Sequence, residues 1–167
     1  NIMASMFFGG ISGSSVADTA SIGSILIPMM KKKGYDADYS VAVTISSSTQ
    51  GIIIPPSHNA IIYALAAGGG VSIGKLFLGG VAPGILVGIS LMAVSFVLAS
   101  IRNYPREEKI QAKDAVKIFS DAFWGLITAV IIVGAVVFGV ATATESSAIA
   151  VVYAFIITFF VYRETGI

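Results

Sequence analysis

Apolar segments long enough to cross a lipid bilayer constrain this chain more than any other feature. A helix needs roughly 20 apolar residues to span the hydrocarbon core. Residues 41–67, 76–101 and 122–141 meet that length, and residues 145–162 are marginal. Charged residues make up 11% of the chain, whereas a soluble domain usually carries about a quarter. The sequence therefore predicts an all-α polytopic membrane protein with four crossings.

Residue content argues against several classes of function. A net charge of +1 leaves no excess of Lys and Arg for binding nucleic acid. The absence of Cys excludes disulfides, thiol catalysis and cysteine metal sites. One His, with no hydrolytic triad or phosphate loop, predicts neither an enzyme nor a resident cofactor. Because the chain starts inside an apolar stretch and shows no signal-peptide pattern, we interpret it as a piece of a longer protein.

The first 30 residues carry a polar interruption inside an apolar segment. The run GGISGSSVADTAS lies between two apolar arms, and Gly and Ser weaken helix interiors. We predict a re-entrant helical hairpin with arms near residues 2–8 and 22–30 and a tip near residues 11–15. The alternative is one Gly/Ser-rich spanning helix that packs tightly against its neighbours.

A second interruption lies within residues 41–67. The run SSSTQG leads into IIIPPS, where Pro55 and Pro56 remove two backbone donors and clash with the preceding turn. We predict a discontinuous transmembrane helix whose unwound middle, residues 50–57, offers hydroxyl and carbonyl groups. A simple proline kink is the alternative, but such a kink would not need the preceding polar run.

The two interruptions supply the candidate binding residues. Irregular backbone at membrane depth must be buried in protein or line a wet cavity. Its carbonyl and hydroxyl oxygens suit sodium, and free N–H groups at the start of a helix suit an anion. The candidates at the tip are Ser12, Gly13, Ser14, Ser15 and Asp18. The candidates in the broken helix are Ser48, Thr49, Gln50, Gly51, Ile54, Pro55, Pro56 and Ser57. Secondary transporters hold substrate and coupling ions between such elements.

Two titratable residues near the interruptions have alternative roles. Asp18 is a functional candidate because it is an intramembrane carboxylate, but it is also a candidate helix N-cap or structural hydrogen-bond acceptor. His58 follows the break directly. A lone histidine there is more often a satisfied cap than a ligand, so we interpret it as a cap rather than a proton carrier.

Basic residues are distributed unevenly between the loops. If the four segments each cross once, one side of the membrane holds nine of the ten Lys and Arg residues. The other side holds only Lys75. Cytoplasmic loops carry the excess of Lys and Arg, so residues 31–38 and 102–121 are predicted to be cytoplasmic. The nine residues are Lys31, Lys32, Lys33, Arg102, Arg106, Lys109, Lys113, Lys117 and Arg163.

Cysteine labelling of the full-length protein tests this topology. A single cysteine at Lys32 should react with a membrane-impermeant thiol reagent only from the cytoplasmic side, because its loop carries the basic excess. A single cysteine at Gly69 should react only from outside. Labelling of both positions from the same side would contradict the four-crossing topology.

The predicted organisation has five parts. They are the hairpin (1–30), a loop and the broken helix (31–67), an outward loop and spanning helix (68–101), a cytoplasmic linker (102–121) and two final spanning helices (122–167). In the linker, Ile110, Val116, Phe119 and Phe123 recur near helical spacing, which indicates an amphipathic helix along the interface. A solvated connector is the alternative. Thr144 is the predicted N-cap of the last helix.

Three stretches carry a family resemblance. They read GGISGSSVADTASIGSILIPMMKKKGYD, then ISSSTQGIIIPPSHNAIIYALAAGGGVSIGKLFLGGVAPG, then ATATESSAIAVVYAFIITFFVYRE. Their order and spacing resemble the large membrane subunit, of the DctM type, of tripartite ATP-independent periplasmic (TRAP) transporters. The resemblance covers nearly the whole chain, and the third stretch resembles the start of that subunit's second half.

The resemblance implies a function, partners and site residues. Such subunits are multi-pass proteins of the bacterial or archaeal inner membrane that import organic acids by a sodium-coupled elevator mechanism. Na⁺ is the coupling ion and no other cofactor is implied. The implied partners are a small membrane subunit (DctQ type), a periplasmic binding protein (DctP type), a small organic acid and the lipid bilayer. The implied hairpin tip is Gly13, Ser14 and Ser15, and the implied break is Ser48, Thr49, Gly51, Ile54, Pro55 and Pro56.

The sequence departs from the family pattern in two respects. It reads STQGIIIPPSH where the commoner form is ASTIGPIIPPS, so Gln50 adds a polar group and Ile52 replaces a proline. The second hairpin and second break are absent, so the chain is expected to hold half a substrate site and not to transport alone. The alternative functions are a sodium/carboxylate symporter without a binding protein and a channel-like or structural membrane subunit.

Overall fold

A computed structural model describes residues 1–68, 70–105 and 112–162. Within these ranges the chain forms seven α-helices and no β-strand. The helices are α1 (Ile2–Ser12), α2 (Ser15–Lys32), α3 (Ala37–Ser48), α4 (His58–Ala66), α5 (Ile73–Ile101), α6 (Ala112–Val137) and α7 (Ala143–Ile156). A 3₁₀ turn, Thr49–Ile52, follows α3, and a π-helical turn, Ile157–Tyr162, follows α7.

Three helical segments of the described ranges are long and apolar enough to cross a membrane. They are Ile73–Ile101, Ile118–Val137 and Thr144–Tyr162. At 1.5 Å per residue, α5 is roughly 44 Å long, which exceeds the hydrocarbon core of about 30 Å. These three segments and the discontinuous helix confirm the predicted all-α polytopic membrane fold.

The helices belong to two compact units. The first contains α1 to α5, and the second contains α6 and α7. Within the first unit, α1 packs against α2, α3 and the 3₁₀ turn, and α5 packs against α1, α3 and α4. The break in the discontinuous helix therefore lies among all the helices of this unit.

The first 30 residues form the predicted helical hairpin. Its tip is two residues long: Gly13 takes a left-handed conformation (φ 63°) that ends α1, and Ser14 caps α2 by accepting a hydrogen bond from the Ala17 N–H at 3.4 Å. A single continuous helix is thereby excluded. Both arms are longer than predicted because the Gly and Ser residues beside the tip are helical, with tertiary packing outweighing their weak propensity.

The predicted break is also present. α3 runs to Ser48, the 3₁₀ turn follows, and residues 53–57 separate it from α4. The sequence pattern placed this break correctly because Pro55 and Pro56 cannot donate backbone hydrogen bonds to a helix ladder.

A polar and aromatic cluster joins the α2–α3 loop to the end of α5. Asp36 accepts hydrogen bonds from the Tyr104 hydroxyl at 2.6 Å and from Arg102 Nη1 at 3.0 Å. The rings of Tyr35, Tyr39 and Tyr104 contact one another with centroid separations of 4.7–6.1 Å. The Tyr104 hydroxyl, and then Arg102, hold the pKa of the Asp36 carboxyl below its usual value.

This cluster predicts a pH-dependent contribution to stability. A depressed pKa means that the ionised Asp36 stabilises the folded protein above its ordinary pKa, and that this contribution is lost as the pH falls through the lowered value. Asp36→Asn should therefore lower the thermal midpoint slightly at neutral pH, since the Asp36 and Arg102 side chains are exposed. The difference from wild type should shrink on acidification. A difference that persists unchanged in acid would contradict this account.

The second unit differs from the prediction in two places, which are the start of its first helix and the N-cap of its second. Residues 112–121 of the predicted linker are helical, but α6 continues through residue 122 without a break, because no Gly or Pro interrupts it before Gly125. The N-cap of α7 is Thr142 rather than Thr144: Thr142 and Glu145 form a capping box, which satisfies two otherwise free N–H groups. Residues 69, 106–111 and 163–167, which include the predicted positions at Gly69 and Ile110, lie outside the described residues.

Candidate functional site

A stripe of small and polar residues runs along α1 at a spacing of four. Its members are Asn1, Ser5, Gly9 and Gly13. Residues four apart share one face of a helix, and the first two members bond to α3. Asn1 Nδ2 donates to Thr44 Oγ1 at 2.7 Å, and Ser47 Oγ donates to Ser5 Oγ at 3.0 Å. Thr44, Ser47 and Ser5 are fully buried. The N-terminal half of α1 is therefore held to α3 by two polar contacts whose hydroxyl groups are buried.

The next two members of the stripe bring the hairpin tip against the break. A methyl group at Gly9 would lie 2.8 Å from Gly51 Cα, and one at Gly13 would lie 2.5 Å from the Pro56 carbonyl oxygen. The Gly13 carbonyl accepts a hydrogen bond from the His58 N–H at 3.3 Å. The tip and the break thus meet main chain to main chain, with no room for a side chain between them.

The tip also adjoins the break through the start of α2. A methyl group at Gly51 would lie 3.1 Å from the carbonyl carbon of Ser14 and 3.3 Å from the Ser15 nitrogen. Ser12 Oγ lies 3.4 Å from both the backbone nitrogen and the carbonyl oxygen of Ser14. The Ser14 carbonyl therefore lies beside the unwound segment, and the Ser12 hydroxyl lies beside Ser14.

Ser57 bridges the two sides of the break. Its hydroxyl donates to the Ile52 carbonyl at 2.7 Å and accepts from the Ala60 N–H at 3.4 Å. Ser57 therefore caps α4 and satisfies a carbonyl left free where the 3₁₀ turn ends. Pro55, Pro56 and Ser57 are all buried, so this end of the irregular segment is enclosed by protein.

The Gln50 side chain is directed at α5. With its amide oriented to satisfy both partners, Nε2 donates to the Gly84 carbonyl at 2.9 Å and Oε1 accepts from the Gly88 N–H at 2.9 Å. Ile54 also packs on α5, because a methyl group at Gly84 would lie 2.5 Å from Ile54 Cγ1. These two candidate residues therefore contact a helix that the sequence analysis did not include in the site.

Asp18 is the buried acidic residue of this region. It lies in the first turn of α2, it is fully buried, and neither carboxylate oxygen has a hydrogen-bond partner in the described part of the chain. The hydroxyls of Ser5 and Ser48 adjoin it without reaching hydrogen-bond geometry. The N-cap is Ser14 rather than Asp18, so capping does not account for this carboxylate.

The structure brings most of the predicted residues together, but they make different kinds of contact. Gly13, Ser14 and Ser15 meet Gly51 and Pro56 at the tip. Ser48 belongs to the Asp18 environment. Thr49 is exposed, and its hydroxyl donates to the Ser46 carbonyl of the preceding helix, α3, at 2.7 Å. His58 is exposed at the start of α4, with its backbone nitrogen bonded to the tip.

Sequence reasoning missed the surfaces on which the break rests. Ser5 and Gly9 of α1, and Gly84 and Gly88 of α5, contact the broken helix directly. Their spacing of four was visible in the sequence as a small-residue helix-packing pattern. That pattern does not reveal which helix will pack on the stripe.

Comparisons with known proteins show the family to which the chain belongs. The family model described as the DctM component of the tripartite ATP-independent periplasmic transporter matches residues 1–167. The chain belongs to the DctM family. Several curated relatives are named as permease proteins of TRAP transporters, and the described part of the chain has three apolar segments long enough to cross a membrane. A DctM-family chain of this kind is a multi-pass protein of the inner cell membrane.

Curated DctM-family relatives match nearly the whole chain. The C4-dicarboxylate TRAP transporter large permease protein DctM of Vibrio cholerae is 42% identical over 99% of this chain. The sialic acid TRAP transporter permease protein SiaT of Haemophilus influenzae is 39% identical over 98%, and the 2,3-diketo-L-gulonate TRAP transporter large permease protein YiaN of Escherichia coli is 37% identical over 98%. The chain covers 36%, 26% and 38% of those proteins, so it spans well under half their length.

Proposed function

We propose that this chain contributes half of the ion and substrate site in the permease subunit of a sodium-coupled importer of organic acids. The observation that carries the proposal is the buried main-chain contact between the hairpin tip and the break. Secondary transporters hold substrate and coupling ions at such junctions, where helix ends and unwound backbone converge near the bilayer midplane. The protein acts in this proposal as a transport subunit rather than an enzyme.

The environment of Asp18 supports a monovalent cation. A buried carboxylate without a partner costs several kcal/mol unless a counter-charge or a proton neutralises it. The Ser5 and Ser48 hydroxyls adjoin it, and hard oxygen ligands of this kind suit sodium. The described residues hold no cluster of three or more His, Cys, Asp or Glu side chains, so the surroundings do not favour a divalent ion.

The N-termini of α2 and α4 support an anionic substrate. Ser14 and Ser57 begin these helices on either side of the contact between the tip and the break, and the N-terminus of a helix favours negative charge. C4-dicarboxylates, sialic acid and 2,3-diketo-L-gulonate, which appear in the names of the relatives, all carry a carboxylate. We therefore assign the substrate to the class of small organic acids.

Membership of the family suggests partner proteins and a transport mechanism for the full-length protein. TRAP permeases imply a small membrane subunit of the DctQ type and a periplasmic binding protein of the DctP type, and we propose both as partners of the full-length protein. We also propose an elevator mechanism. The close main-chain packing of α1, the break and α5 supports it, because elements packed in this way can shift together as one body.

Reconstitution of the full-length protein tests the proposal. The protein and its small membrane subunit are placed in proteoliposomes, and uptake of radiolabelled organic acids is measured with and without a sodium gradient and an added periplasmic binding protein. Uptake should require both additions. Sodium-dependent uptake without the binding protein would instead indicate a sodium/carboxylate symporter, and flux that ignores the sodium gradient would contradict both carrier functions.

A further inference from the structure

Gln50 has an unusual position for a polar residue inside a membrane protein. It is fully buried in the 3₁₀ turn, and its amide bonds to two backbone groups of α5, the Gly84 carbonyl and the Gly88 N–H. In an α-helix, the N–H of residue i normally bonds to the carbonyl of residue i−4. The Gln50 amide therefore bridges two groups that are each other's ordinary partners.

Glycines on α5 make this approach possible. A methyl group at Gly88 would lie 2.5 Å from Met6 Sδ of α1, and one at Gly80 would collide with the Ile53 carbonyl. With Gly84 against Ile54, three glycines four residues apart form a flat strip on α5. Since glycine lets backbones approach closely, the strip brings the unwound segment within hydrogen-bond reach.

We propose that Gln50 is a positioning residue that anchors the unwound segment to α5 and does not itself bind the ion or the substrate. Its oxygen and its nitrogen are both directed at α5, whereas the next residue, Gly51, adjoins the hairpin tip. Gln50 fixes where the carbonyls of residues 51–57 lie relative to the tip. The inference deepens the proposed function and rests on it for its effect on transport.

The structure also indicates why removing the amide need not unfold the protein. In a Gln50→Leu variant, the Gly88 N–H and the Gly84 carbonyl can bond to each other as in any helix. No backbone group of α5 is then left buried without a partner, which would otherwise add a desolvation penalty. The loss falls on the unwound segment, which keeps its packing volume but loses its attachment.

Hydrogen-exchange mass spectrometry of the full-length protein tests the anchor directly. Backbone exchange in residues 50–57 should be at least several-fold faster in Gln50→Leu than in wild type, while the hairpin arm at residues 22–30 is unchanged. Ser90→Leu is the matched control, because this exposed α5 hydroxyl bonds only to Leu86 of its own helix. Gln50→Met, which has a similar length and no hydrogen bonds, serves if the leucine variant expresses poorly. Unchanged exchange in residues 50–57 would overturn the proposal.

Transport measurements on the same variants separate positioning from direct binding. The sodium half-saturation concentration should rise at least several-fold in Gln50→Leu, because the unwound segment loses its attachment to α5. The ratio of uptake rates for two different organic acids should stay the same, because no substrate contact has been removed. A several-fold change in that ratio with unchanged exchange would make Gln50 a substrate ligand and overturn the proposal. If wild type itself shows no sodium-dependent uptake, the proposed function fails, and the exchange result still decides the anchor.

Discussion

Replacing Gly13 by alanine in the full-length protein should reduce sodium-coupled uptake at least about tenfold without preventing membrane insertion. A methyl group at this position would lie 2.5 Å from the Pro56 carbonyl oxygen, so the tip and the break would have to move apart. The left-handed backbone of Gly13 (φ 63°) adds roughly 1–2 kcal/mol of strain for any other residue, but this strain recurs at every left-handed glycine, so the loss of uptake is expected from the collision. A cost of about 1.4 kcal/mol is already a tenfold change in an equilibrium.

Gly68 offers a matched control for this substitution. Its backbone is also left-handed (φ 70°), but a methyl group there would have no atom within 4 Å. Gly68→Ala therefore has similar backbone strain without the collision, and uptake should stay within about twofold of wild type. Insertion of both variants is checked by membrane fractionation. Equal loss of uptake in both would show that backbone strain, and not the contact between the tip and the break, limits transport.

Replacing Asp18 by asparagine should abolish most of the stabilisation of the full-length protein by sodium. A ligand at 100 times its Kd stabilises a protein by about 2.7 kcal/mol, which corresponds to a rise of several degrees in the thermal midpoint. Asparagine keeps the shape of the side chain but not the charge that attracts the cation. Because the variant also lacks an unpartnered buried carboxylate, its midpoint without sodium should be at least as high as that of wild type.

The measurement is a thermal unfolding series of purified protein in sodium and in potassium at equal ionic strength. Asp38→Asn is the control, because this acid lies exposed in the first turn of α3, and it should keep the full sodium response. A full sodium response in Asp18→Asn would rule out this carboxylate as the cation partner. A fall in its sodium-free midpoint would indicate a structural role instead.

The elements of the site were predictable because their signals are local. The weak helix propensity of the Gly and Ser run and the missing donors of Pro55 and Pro56 are properties of single residues, so the hairpin tip and the break could be placed before any tertiary information. The polar run before the prolines likewise marked where the hydroxyls lie. The fold class followed from segment length and charge content alone.

The partners of those elements were not predictable for the opposite reason. The direction of the Gln50 amide depends on the glycine strip of α5, more than 30 residues further along the chain. The contact of Ser5 with Ser47 spans 42 residues. The continuity of α6 was missed because a change from charged to apolar residues alters the surroundings of a helix without breaking it. Each of these depends on tertiary packing rather than on local propensity.

The stripe on α1 determines which amino-acid substitutions this protein can tolerate during evolution. In a water-soluble core, shortening a large side chain is the damaging event, because it leaves a cavity. The contacts that Ser5, Gly9 and Gly13 make with the broken helix consist of glycine, serine and main-chain atoms, which have almost no side-chain volume to lose. Enlargement by a single carbon is the damaging event here. Natural variation at these positions should therefore exchange Gly, Ala and Ser where space allows and exclude larger residues, however apolar they are.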